Sequence, residues 1–229
     1  MEINSPKTLI VVAHPHIADS TTQQFLQAAV HQTSAIWHHI DGLNSLDVQQ
    51  ERQLLAAADR IIFQFPLYWY AAPANLKKWQ EQVLSTNFVQ QQLAHKQLGL
   101  VVTTGLPQKA FQTGGSAAFT LDQLLAPFYA FGQQAQMQCL PKFAIYQFSY
   151  LTERQQQQLF MDYQRYLTQP SPDNLLNRSN WYLNYLQQHP QLPQQALLID
   201  YLTQQILTLD NLQTTWNLIK EAEDDRLDI

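Results

Sequence analysis

One cysteine in 229 residues leaves nothing for it to pair with inside the chain. That excludes an intramolecular disulfide framework and a multi-cysteine zinc centre. The surroundings of Cys139, QMQCLPKF, are apolar enough to read it as a buried core thiol. Charge is also scarce: 14% of residues are charged, against roughly 25% in an ordinary soluble domain. The net charge is −5 and no basic block appears, so neither nucleic acid nor an anionic membrane is expected as a partner. No apolar run reaches the roughly 18 residues of a membrane span, so no membrane insertion is expected. MEINSPK is not strongly basic and TLIVVA is too short for a signal peptide, so a cytoplasmic protein is expected. Only six glycines are present, and no glycine-rich phosphate fingerprint, Walker lysine or Gly-x-Ser-x-Gly elbow is found. His14 with His16, and His38 with His39, lack a matching carboxylate or cysteine set, so no metal site is expected. His38 and His39 adjoin in a strand candidate, where their side chains point to opposite faces.

What is present is alternation. TLIVVA (Thr8–Ala13) is a short continuous apolar run, as in a strand buried on both faces. Helix-like content follows over Ser20–His31. AIWHHI (Ala35–Ile40) is the next strand candidate, Leu46–Ala58 a helix, and Arg60–Phe65 a third strand stopped by Pro66. Ala74–Leu84 sets Leu76, Trp79 and Val83 on one helical face. LGLVVTT (Leu98–Thr104) is a fourth strand, Phe119–Phe131 a helix, and Met137–Tyr146 a fifth strand interrupted near Pro141. Glu153–Leu167 is a further helix. Five strands alternating with helices predict an α/β fold with helices on both faces of a parallel sheet. Length and strand count favour a flavodoxin-like order, 2-1-3-4-5.

The stretch TQPSPDN, from Thr168, reads as a linker. Residues 1–168 then form one domain and residues 169–229 a glutamine-rich helical extension. Leu197, Leu198, Tyr201, Leu202, Ile206 and Leu209 form its apolar stripe, and EAEDDRLDI reads as a solvated end.

In such a sheet a ligand lies beyond the carboxyl ends of the strands, where the order reverses. The segments there are HPHIADSTT, PLYWYAAP and TTGLPQKAFQTGG. The first enters a helix near Asp19 or Ser20, either of which serves as its cap. Unpaired amides at a helix start favour an anion, and Ser20, Thr21 and Thr22 add hydroxyls and His14 a ring donor, so the same turn reads as a phosphate cradle. In the second, Pro66 and Pro73 hold the chain between them in an extended turn. Its backbone polar groups can then face a heteroaromatic edge while Tyr68 and Trp69 enclose the ring; core packing or an oligomer contact is the other use of such aromatics. In the third, Thr103, Thr104 and Gly105 are small enough for a ring to lie close to the backbone. The following loop, with Gly114 and Gly115, is long for its kind.

HPHIADSTTQ, FPLYWYAAPANLKKW, TTG with FQTGGSAAFTLDQLLAPF, and LPKFAIYQ, in this order and spacing, resemble the NAD(P)H:quinone oxidoreductases of the flavodoxin-like superfamily. The nearest pattern is that of the bacterial FMN-dependent members, including the ancillary quinone reductases of glutathione-gated potassium efflux systems. The resemblance covers about residues 8–167. It implies FMN, or FAD as in the animal branch, with NAD(P)H as electron donor and a quinone or related small molecule as acceptor. It places the phosphate against His14 and against Ser20, Thr21, Thr22 and Gln23. It lays the isoalloxazine across Pro66, Leu67, Tyr68 and Trp69, and against Thr103, Thr104, Gly105 and Leu106. It also implies a homodimer and ping-pong kinetics with hydride transfer through flavin N5. Nicotinamide and quinone would stack on aromatics such as Tyr68, Tyr70 or Phe111. No protein nucleophile is required, and no catalytic residue is assigned.

The chain departs from that pattern at particular positions. Leu106 stands where some members have a second glycine. Phe111 and Ala117 stand roughly where animal members carry a tyrosine and a histidine and bacterial relatives often carry a tyrosine and an asparagine; neither can donate a hydrogen bond. Gln23 replaces an asparagine common in the phosphate loop. Two other readings fit the same residues: a flavin-binding regulatory subunit of a membrane transporter, and a degenerate flavodoxin-like protein without cofactor.

Overall fold

The computed structural model describes residues 5–42, 46–191 and 193–227. They fall into two compact units, Pro6–Thr168 and the residues from Gln169 on.

The first unit is built on a parallel sheet. Its strands are β1 (Thr8–Val12), β2 (Ile36–His39), β3 (Arg60–Pro66), β4 (Gln97–Thr104), β5 (Gln138–Cys139) and β6 (Phe143–Tyr146). The order is β2-β1-β3-β4-β5, with β6 also on the outer edge of β4. All pairings are parallel; in register, Val12 faces Gln64 and Pro66 faces Thr103. The flavodoxin-like order expected from the sequence is therefore present, its fifth strand split in two.

The split has a local cause. Pro141 has no N–H to give to a ladder. Beside the gap, the Tyr166 hydroxyl accepts from the Leu100 N–H at 3.2 Å and donates to the Pro141 carbonyl at 2.9 Å. Gly99 makes this possible, because a Cβ there would lie 2.6 Å from that hydroxyl oxygen. Cys139, on the two-residue β5 at the sheet edge, is exposed. The buried core thiol expected from its apolar neighbours is corrected by that edge position, although partial burial still pushes the thiol pKa up.

Eight helices are described: α1 (Thr21–Val30), α2 (Val48–Ala57), α3 (Ala74–Val83), α4 (Thr86–Gln92), α5 (Leu121–Gln134), α6 (Glu153–Thr168), α7 (Leu175–Gln188) and α8 (Gln195–Leu227). The caps are those the sequence supplies: Asp47 for α2, Ser85 for α4, and a Thr120–Gln123 capping box for α5. One sheet face packs Leu9, Val11, Ile61, Phe63 and Phe65 against α2, α3 and α5, with Phe65 stacked on Phe128 at 5.0 Å. The other packs Ile10, Val12, Ile62 and Val101 against Leu26, Ala29 and Val30 of α1 and Tyr163 and Leu167 of α6. Alternate residues of each strand serve the two faces, which is why the strands read as unbroken apolar runs.

The second unit contains two helices, α7 and α8, in contact with each other. Asn174 caps α7, and the Gln195 side chain donates to the Leu186 carbonyl. The expected apolar stripe divides. Leu202, Ile206 and Leu209 are half-buried together with Ile199, at alternating three- and four-residue steps, whereas Leu197, Leu198 and Tyr201 are exposed. The expectation of a solvated end over 221–229 concerns side chains outside the described residues.

Candidate functional site

The site is built where β1, β3, β4 and β6 end on the same side of the sheet. After β1 the chain passes His14, makes a 3-10 turn over Ile17–Asp19, and enters α1. Ser20 is the cap, its Oγ accepting from the Gln23 N–H at 3.3 Å. Asp19 is exposed and does not cap. Thr21 is exposed, Thr22 is half-buried, and Gln23 is fully buried.

His14 is fixed from several sides. Its N–H donates to Asp41 Oδ2 at 2.6 Å, and its carbonyl accepts from His39 Nε2 at 3.1 Å. His16 donates its N–H to His14 Nδ1 at 3.3 Å, so the neutral ring carries its proton on Nε2. That Nε2 lies 3.5 Å from the Tyr68 hydroxyl, which links the first and second strand-end segments. Burial lowers the His14 pKa from 6.5, so the ring is a neutral donor near pH 7. His38 faces the other way: Glu51 Oε2 receives both His38 Nε2 at 2.8 Å and Trp79 Nε1 at 2.9 Å. The opposite orientation of the two histidines follows the strand period, and His38 has a carboxylate partner that the sequence spacing did not show.

The aromatic segment differs from the extended turn expected of it. Tyr68 and Ala71 exchange backbone hydrogen bonds of 2.9 and 3.0 Å, and Trp69 and Tyr70 have φ of 48° and 64°. Both central residues of this tight turn are left-handed, the geometry normally given to Asn-Gly. A bulky aromatic there is strained. The Tyr68 and Ala71 amides are consumed by each other and cannot serve a ligand edge. In exchange, Trp69 is 95% exposed, with Tyr68 and Tyr70 about half so.

A cleft of about 190 Å³ gathers Thr22 from the first segment, Pro66, Leu67 and Tyr68 from the second, and Thr103, Thr104 and Gly105 from the third. Leu67 donates its N–H to the Thr103 carbonyl at 2.8 Å, tying the second and third together. Leu106 is exposed beside the cleft, its N–H donating to Thr104 Oγ1 at 3.2 Å. At Gly105 a Cβ would meet nothing within 4 Å, so open space adjoins the backbone there. Tyr70 is outside the cleft lining. Phe111 is only 6% exposed, packed in the core beside Tyr146, and offers no free stacking face. Ala117 is buried in the same core.

The structure adds a wall that the sequence reading missed. Gln147, Phe148, Ser149 and Tyr150, after β6, close the far side of the cleft. Gln147 has φ of 47° and donates its N–H to the Thr104 carbonyl at 2.8 Å. The signal was available: the strand-end rule that picked out the other three segments applies equally to QFSY. A second, larger hollow of about 630 Å³ lies between α3, α4 and α5 and begins at Ala71 and Ala72. Phe128 and Phe131 form its apolar floor.

The residues fit a phosphorylated planar heterocycle. The start of α1 offers helix amides and hydroxyls, and the buried Gln23 Nε2 has no partner among the described residues. The open space at Gly105, opposite Pro66–Tyr68, suits a flat ring.

Comparisons with known proteins bear on the fold and the family. The chain is 34% identical over 148 residues to an uncharacterized NAD(P)H oxidoreductase, YrkL, of Bacillus subtilis, a match covering 61% of this chain and 85% of that one. It is 35% identical over 153 residues to the glutathione-regulated potassium-efflux system ancillary protein KefG of Serratia proteamaculans, covering 62% and 81%. Among solved structures, an NADPH-quinone reductase from P. pentosaceus superposes with a TM-score of 0.69 at 44% identity, over 72% of this chain and 99% of the other. General stress protein 14 of Treponema denticola, solved in complex with FMN, superposes with a TM-score of 0.64 at 27% identity, over 71% and 98%. The family model described as Flavodoxin_2, flavodoxin-like fold, matches residues 6–168, the whole of the α/β unit, and the chain belongs to that family.

Proposed function

We propose that this protein is a flavin-dependent oxidoreductase that passes electrons from NAD(P)H to a quinone or related small molecule. Residues 1–168 would be the flavin-binding domain and residues 169–229 an extension. The observation that carries the reading is the meeting of three separate strand-end segments in one cleft beside the start of α1, where a buried amide donor has no partner. The FMN complex of a solved relative supports FMN over FAD.

His14 Nε2, the Ser20, Thr21 and Thr22 groups and Gln23 would hold the phosphate. Pro66, Leu67, Tyr68 and Trp69 would support one side of the isoalloxazine, with Thr103, Thr104, Gly105 and Leu106 along another. Bound flavin supplies two-electron hydride chemistry at N5 in a ping-pong cycle. The chain itself orients the ring, excludes water with apolar side chains, and offers Tyr68 and Tyr70 as surfaces on which nicotinamide and acceptor alternate. Phe111 drops out of that role because it is core.

A cytoplasmic homodimer completes the reading. The hollow between α3, α4 and α5 adjoins the aromatic turn, and its rim carries Lys77 and Glu81, 3.4 Å apart. A second copy related by two-fold symmetry would cover this hollow; sedimentation of the purified chain as a monomer would remove this part. The KefG likeness favours one second reading, a flavin-binding ancillary subunit of a membrane transporter. Steady-state assays separate the two. Consumption of NADH or NADPH that depends on added quinone, with parallel lines at varied quinone, supports the enzyme. A flavin-loaded chain that oxidises neither nucleotide supports the subunit.

A further inference from the structure

Three buried polar side chains lie in a row behind the cleft. The Tyr163 hydroxyl, on α6, donates to Gln64 Oε1 at 2.6 Å. Gln64 Nε2, on β3, donates to Gln23 Oε1 at 2.6 Å. All three residues are fully buried, and Gln23 Nε2 ends the row without a partner among the described residues. Polar groups in such a place are normally satisfied, and an orphan donor costs stability.

The direction of the row is set at its Tyr163 end. A buried hydroxyl has one hydrogen, and here its acceptor is Gln64 Oε1. Reversing both amides would leave that hydrogen without an acceptor and the Gln23 carbonyl without a donor, two orphans in place of one. With the hydroxyl donating, Gln64 must turn its NH₂ toward Gln23, and Gln23 must accept through Oε1. The group Gln23 then has left to offer is N–H. Gln23 is the third residue of α1, in the turn that carries Thr21 and Thr22 and whose own amides favour an anion. An orphaned N–H there needs an acceptor, and it holds a charged oxygen more strongly than a neutral hydroxyl.

We propose that Tyr163, acting through Gln64, is a positioning residue that makes Gln23 present a donor to the α1 turn and so favours a charged acceptor there, the dianionic phosphate monoester of FMN. The inference rests on the flavin reading above. It concerns the phosphate alone, so FMN and riboflavin, which differ by that group, separate it from the rest of the site.

The test is titration of the full-length apoprotein with FMN and with riboflavin, followed by flavin fluorescence, for the wild type and for Tyr163→Phe. The wild type binds FMN more tightly than riboflavin. In Tyr163→Phe the FMN affinity falls roughly tenfold, the scale of one hydrogen bond to a charged group, while riboflavin affinity stays within about twofold. Equal losses for both ligands, or an unchanged ratio, would overturn the assignment and leave the flavin reading standing. A wild-type chain that binds neither removes both. Should Tyr163→Phe not fold, the wild type still decides: the Gln23 side-chain NH₂ resonances shift when FMN binds and not when riboflavin binds, and their indifference to FMN overturns the proposal.

Discussion

At the α1 end of the cleft, His14 is gripped by Asp41, His39 and His16, Ser20 caps the helix, and Gln23 is backed by Gln64 and Tyr163. At the other end, the turn from Tyr68 to Ala71 closes on itself, two aromatics sit at positive φ, and Trp69 is almost wholly exposed. The first end is polar and held by hydrogen bonds, and Gln23 Nε2 is its buried side-chain donor without a partner among the described residues. The second is strained, apolar and open. Under the proposed function, the first end would anchor the flavin phosphate and the second would leave its ring open for two different substrates to visit in turn. The difference also predicts that substitutions at the two ends act on different properties.

Filling the space between the ends has the largest effect. Gly105→Leu lowers FMN affinity roughly 100-fold, because its side chain enters the space the proposed ring would fill. Thermal stability hardly changes, since a Cβ there meets nothing within 4 Å. Flavin titration beside a melting curve checks both halves. At the polar end, Ser20→Ala costs about 1 kcal/mol of unfolding free energy through the lost cap and weakens FMN more than riboflavin. Urea unfolding and the paired titrations measure this. At the strained end the sign reverses. Trp69→Gly raises stability by roughly 0.5–1 kcal/mol, because glycine accepts the left-handed backbone and little packing is lost. The same change raises KM for the nucleotide or the acceptor. The smallest effect is a pH slope. Burial holds His14 below its usual 6.5, so the unfolded chain takes up the proton first as pH falls. The stability His14 contributes is complete above pH 6.5 and declines below it. His14→Gln flattens that slope in urea unfolding at a series of pH values.

Much of the fold was legible because buried parallel strands have to be apolar on both faces: TLIVV, RIIFQF and QLGLVVTT occupy β1, β3 and β4. Pro141 marked the break in the last strand for a physical reason, its missing donor. Helix α4 was missed because TNFVQQQ is two turns long and mostly polar, so its period cannot show. Cys139 was misjudged because apolar neighbours in sequence do not reveal an edge position. In the cleft, the segments at the ends of β1, β3 and β4 were legible from the topology. The left-handed turn at Trp69 and Tyr70 was not, since neither is a residue that favours such a backbone. Nor was the burial of Phe111, which depends on a loop folding back over Tyr146. The row from Tyr163 to Gln23 joins residues 140 positions apart in sequence, by contacts that only the sheet brings about.

The most direct measurement is a crystal structure of the chain reconstituted with FMN. The phosphate should sit within hydrogen-bonding distance of the Ser20–Gln23 turn and His14, and the ring should lie between Pro66–Trp69 and Thr103–Leu106. A chain that refuses FMN, or holds it anywhere else, would contradict the proposal.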